Sequence, residues 1–161
     1  MAFSVLDETG GIPDPHYAAV GKVASSWALF ETLLDITVWR FSNIDPKIMA
    51  CVTSQVSGSG RKLDAVISLI RHIHGDAAVA PFNKFSEQTQ RLAERRNRIV
   101  HDAWLIKDGV PSRIEFTARK RVVVEAIAVD TVALTKLTEE IVSHIEKLEV
   151  LLNPMLPPLG L

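Results

Sequence analysis

The sequence predicts a mainly α-helical protein: an antiparallel bundle of four to five helices, with a small β-hairpin or meander before the last one. Three observations predict it. Apolar residues recur at spacings of three and four along most of the chain, the stripe of amphipathic helices. Proline and glycine clusters interrupt those stripes where bundle turns would fall. One stretch, about residues 104–124, shifts to a period of two, as half-buried strands do.

Gly10, Gly11, Pro13 and Pro15 mark an irregular lead over residues 1–15. From about His16, the residues Val20, Val23, Trp27, Phe30, Leu34, Val38 and Phe41 form a long helical stripe. "SNIDP" (Ser42–Pro46) ends it, because the residue before a proline is pushed out of helical geometry. Pro46 suits the first turn of a short second helix with Ile48, Val52 and Val56 inside, and Cys51 buried among them. "SGSG" (Ser57–Gly60) separates this from a third stripe, Leu63, Val66, Ile67, Ile70 and Ile73, closed by Gly75. A fourth helix is predicted from about Ala80–Pro81, carrying Phe82, Phe85, Leu92 and Ile99.

Trp104 and Ile106, Ile114 and Phe116, and Val122 and Val124 then alternate with polar neighbours, and Asp108-Gly109 is a hairpin turn signal. Asp130 is placed to cap a last helix with the stripe Leu134, Leu137, Ile141, Ile145, Leu148 and Leu152. His144, among Glu140, Glu146 and Lys147, is expected on its wet face. Residues 16–153 read as a single helical domain, and the tail at 154–161, rich in proline, as loose or docked on a partner.

The 161 residues are 47% hydrophobic and 23% charged, ordinary for a globular protein with a real core. Charges break every apolar run well short of the roughly 20 residues a bilayer span requires. The N-terminus is acidic without a basic flank, unlike a secretory signal. One cysteine closes no disulfide within a chain, which agrees with a reducing compartment. A cytoplasmic protein is the expectation.

Net charge is −1, but it is segregated. Residues 81–121 hold ten Lys/Arg against five Asp/Glu, whereas residues 122–161 hold two against six. A local basic patch attracts phosphates even on a neutral molecule, although such segregation also arises with no polyanion involved.

Two candidate motifs are weak. "SGSGRKL" lacks the spacing and the preceding strand of a phosphate loop. His72 and His74 are about 200° apart around a helix and do not share a metal; with Asp76 nearby and no further ligand, solvated helix-end histidines are expected, and neither metal nor cofactor.

"RRNRIVHDAW" (Arg95–Trp104) is different. Asn97 and His101 lie four apart, on one helix face. Arg96 and His101 are about 140° apart, a gap a long arginine partly closes. Histidine takes or gives a proton near neutral pH. Arginine offers a fork of donors to charge building on phosphoryl oxygens. RNA cleavage through a ribose 2′-hydroxyl uses both and requires no metal.

The Arg-Asn-x-x-x-His core at Arg96, Asn97 and His101, preceded by the aromatic-rich helix "SSWALFETLLD" (Ser25–Asp35), resembles the signature of the HEPN superfamily. The resemblance covers roughly residues 16–155, with the 104–124 hairpin as an insertion like that of a bacterial branch. It implies a metal-independent endoribonuclease, toxin or defence component, working as a homodimer whose two signatures form one cleft, with an antitoxin or regulator as a possible partner. Carried onto this chain, His101 would transfer protons, Arg96 would hold the scissile phosphate and Asn97 would orient the histidine or touch the phosphate. Arg95, Arg98 and Glu31 would contact substrate. The resemblance also admits a non-catalytic nucleotide-, RNA- or protein-binding module. On the hairpin, Arg113, Arg119, Lys120 and Arg121 either extend an RNA groove or protect strand edges.

Overall fold

Asp14 opens α1 (Asp14–Ser42), two residues before the predicted start, with Pro15 in its first turn, where a missing amide costs nothing. In the computed structural model, which describes residues 11–117 and 123–157, four more helices and a three-stranded antiparallel sheet follow, giving a helical bundle with the sheet just before the last helix. No helix among the described residues is long and apolar enough to cross a membrane.

The chain divides into two compact units: one from Met1–Ser25 with Glu94–Glu140, the other from Ser26–Ala93 with Ile141–Leu161. Helices α1, α4 (Asp76–His101) and α5 (Thr131–Leu152) have residues in both.

In the second unit, the predicted α1 stripe is the core: Trp27, Phe30, Leu34, Val38 and Phe41 are buried. Asn43, in left-handed geometry at φ 52°, ends the helix. Asp45 caps α2 (Pro46–Thr53), accepting from the Lys47 amide at 2.7 Å. The expected inner face of α2 is corrected. Ile48, Cys51 and Val52 are exposed, and Met49 and Thr53 are buried instead. Thr53 Oγ1 accepts the Trp39 indole N–H at 3.0 Å while donating to the Met49 carbonyl at 3.1 Å. The half-buried indole thus gains an acceptor on the face of α2 that Met49 and Thr53 turn inward.

α3 (Ser59–His74) buries Leu63, Val66 and Ile70, but Ile73, at its last turn, is exposed. Gly75, at φ 84°, closes it as predicted. The fourth helix starts at Asp76, not near Pro81. Pro81 sits inside, where it removes only the hydrogen bond to Ala77. An acid at the first position favours the early start.

All six predicted stripe residues of α5 are buried, and the Asp130 cap forms, its Oδ1 accepting the Ala133 amide at 2.7 Å. His144 is the correction: it is 2% exposed, stacked on Phe85 with ring centres 3.9 Å apart. Of the tail, residues 154–157 are described. The Met155 and Leu156 amides bond the Leu152 carbonyl, Arg40 Nη2 donates to the Pro157 carbonyl at 2.6 Å, and His74 Nε2 donates to that of Met155 at 3.2 Å. Up to Pro157 it is docked on its own chain.

In the first unit, β1 (Trp104–Lys107), β2 (Val110–Thr117) and β3 (Val123–Ala128) form a meander with β2 central. Asp108 (φ 52°) and Gly109 (φ 75°) are both left-handed, the two-residue turn whose twist matches the strands. Trp104 pairs with Arg113, and Phe116 with Val124. Alternation located the strands but not their burial: Phe116 and Val124 are exposed. Val122, Arg119, Lys120 and Arg121 lie outside the described residues.

Candidate active site

The Arg-Asn-x-x-x-His stretch (Arg96–His101) occupies the last two turns of α4, within the first unit. Buried Ile99 sets the helix's rotation and leaves its neighbours towards solvent. The last helical bond runs from the Asp102 amide to the Arg98 carbonyl (3.2 Å), and the chain beyond it turns into β1. The Trp104 indole N–H donates to the Ile99 carbonyl at 3.0 Å, and the Ile114 amide to the Ala103 carbonyl at 2.8 Å. His16, buried against Trp104 at 4.6 Å between ring centres, supports this corner from α1. Burial pushes its imidazole below its ordinary value, with Asp130 partly opposing.

Arg96, Asn97 and His101 come together. One nitrogen of Arg96, Nη1, donates to Asn97 Oδ1 at 3.0 Å and to His101 Nε2 at 3.4 Å. Arg96 Nε is enclosed and has no hydrogen-bond partner among the described residues. The histidine is exposed.

The neighbouring arginines are otherwise engaged. Arg95 forms a two-pronged ion pair with Glu140, which holds that carboxyl below its ordinary value mainly through the hydrogen bond from Arg95. Arg98 and Arg113 alternate with Asp102 and Glu115 in a ring of four charges. Arg113 bonds Asp102 at 2.6 Å and Glu115 at 2.7 Å. Arg98 faces the same two carboxylates at 3.8 and 3.7 Å. Arg113 and Asp102 keep only 13% and 14% of their side-chain surface exposed, so Arg113 ties β2 to the end of α4. Among the described residues, no carboxylate forms an ion pair with Arg96, leaving its charge available for an anion. Glu31 belongs to the second unit, is half-buried, and enters no ion pair or hydrogen bond among the described residues.

Sequence reasoning missed the charge ring and Glu140. The ring is hard to foresee because Arg113 is brought to Asp102 by the strand register. His72 and His74 are exposed at the end of α3, as expected. No group of three or more His, Cys, Asp or Glu among the described residues is placed to hold a metal ion. Compared with family models, with curated proteins and with solved structures, the chain matches none.

Proposed function

We propose that the chain is a HEPN-like endoribonuclease in which His101 and Arg96 cleave RNA through its own 2′-hydroxyl. The observation that carries the reading is the contact of one unneutralised guanidinium with one exposed imidazole. His101 Nε2 would take the 2′-hydroxyl proton as that oxygen attacks phosphorus. The 5′-oxygen leaves, giving a 2′,3′-cyclic phosphate and a 5′-hydroxyl. Arg96 would balance the charge gathering on the phosphoryl oxygens, and Asn97 keeps the guanidinium beside the histidine. A single imidazole does not act as base and as acid at once. A second copy of the chain, meeting the first at this corner, would supply the other and protonate the leaving oxygen.

The test is cleavage of single-stranded RNA in the presence of a chelator. Cyclic phosphate ends are expected. His101→Ala and Arg96→Ala should each lower the rate at least about a hundredfold with the fold intact. Wild-type rates in both variants overturn the assignment. A light-scattering mass of 17.8 kDa at micromolar concentration removes the two-copy cleft.

The second reading is a binding module without turnover. It is favoured by the bonds of Arg96 Nη1 to Asn97 and His101, which hold the three side chains together without substrate. It predicts RNA affinity that weakens with salt, and no new ends.

A further inference from the structure

Arginine only donates hydrogen bonds. The 3.4 Å contact between Arg96 Nη1 and His101 Nε2 therefore requires a lone pair on that ring nitrogen. The imidazole is neutral in this contact and carries its proton on Nδ1. The same lone pair is the one that would accept a proton from a ribose hydroxyl. In the empty site it is already occupied.

We infer that Arg96 is a latch on His101, and that a phosphodiester oxygen arriving at the guanidinium opens it. The inference rests on the ribonuclease reading for the identity of its ligand, and deepens it with a means of regulation. Three features make the latch specific. Arg96 Nε is enclosed by packing although no hydrogen bond anchors it, so the free end of the fork has more room to move than its root. Both hydrogens on Nη1 are spoken for, one by Asn97 Oδ1 and one by the imidazole. An oxyanion that grips the end of the fork, through Nη1 and Nη2 together, must compete for one of them. The imidazole is a neutral acceptor and the phosphodiester is charged, so the phosphodiester wins. Of the described arginines around it, Arg95, Arg98 and Arg113 do not substitute as the gripping cation, because Glu140, Asp102 and Glu115 hold them. The base is thus released by the group it is to act beside, and stays capped otherwise.

The second unit supplies an internal standard. Thr89 Oγ1 donates to the Phe85 carbonyl at 3.0 Å, so it accepts from His144 Nε2 at 2.7 Å. His144 is held as the Nε2–H form, the opposite of His101.

The experiment is nitrogen-resolved NMR of protein labelled with ¹⁵N in its histidine rings, at pH 8, with His101 assigned by the loss of its signals in His101→Gln. The probe is a deoxyribose trinucleotide, which carries phosphodiesters but no 2′-hydroxyl and is not cleaved by this chemistry. The expected resting pattern is Nδ1–H for His101 and Nε2–H for His144. The probe should abolish the His101 pattern and leave that of His144 unchanged. Arg96→Gln should show Nε2–H at His101 without probe, with no further change when probe is added, and an unaltered His144 signal certifies its fold. Arg96→Lys, which keeps the charge but loses the fork, should require at least tenfold more probe for any change at His101. An Nε2–H pattern at rest in the wild type overturns the inference, as does an Nδ1–H pattern that persists with millimolar probe. RNA cleavage without the switch sinks the latch alone, and the switch without RNA cleavage sinks the nuclease alone.

Discussion

His101 and His144 are the same side chain used in opposite ways, one in each unit. His101 is exposed at the end of a helix and accepts a hydrogen bond at Nε2 from a cation. His144 is sealed between Phe30 and Phe85 and donates from Nε2 to a threonine. Burial first, and the nearby Lys147 second, push the His144 imidazole down to about 4. The comparison teaches that a histidine's usefulness is set by what encloses it. One available to solvent and to an arginine suits proton exchange; one in an aromatic sandwich is a core residue with a polar handle.

The sharpest way to break the comparison is to truncate the buried member. His144→Ala removes an aromatic contact and the donor to the Thr89 hydroxyl oxygen, and should cost about 3 kcal/mol of unfolding free energy in a denaturant titration. A loss under about 0.5 kcal/mol would mean that the sandwich contributes nothing. Acid probes the same residue. His144 is neutral in the fold, and the unfolded chain takes up the proton first as pH falls. Its contribution is thus whole above about pH 6.5 and drains away towards pH 4, amounting to up to about 3 kcal/mol. Denaturant curves across that window should be steeper in pH for the wild type than for His144→Gln.

A smaller effect is expected at the ring of charges beside His101. Asp102→Asn leaves Arg113 short of one partner and should cost about 2 kcal/mol, with Arg113→Met similar or milder. Equal stability of all three proteins would show that the ring does not hold the end of α4. Smallest of all, His101→Ala should leave unfolding within about 0.5 kcal/mol of the wild type. A large loss there would make His101 a structural residue and end the contrast.

Much of the architecture is legible from spacing alone, and the misses share a cause. His144 follows Ile141 by three and precedes Leu148 by four, so position put it on the buried stripe while residue type argued for the wet face. Thr89, seven after Phe82 and four after Phe85, is buried in the same way, as is Thr53. Each of these polar side chains finds its partner within the packing, and one-dimensional periodicity does not reveal partners. For the candidate site, the helix face gave Asn97 and His101, and arginine's reach gave the third member. The pairing of Arg113 with Asp102 depends on strand register, which no local pattern encodes.

The matched arginines change how such a surface would meet a polyanion. With Arg95 and Arg98 compensated, an RNA strand meeting the end of α4 would find, among the described arginines of the motif, only Arg96 without a carboxylate partner. Arg96 by itself would then add a logarithmic salt slope of only about −0.7, the value for one phosphate neutralised on a single strand. The paired arginines would add little to guidance from afar, and their part in an encounter would be one of fit.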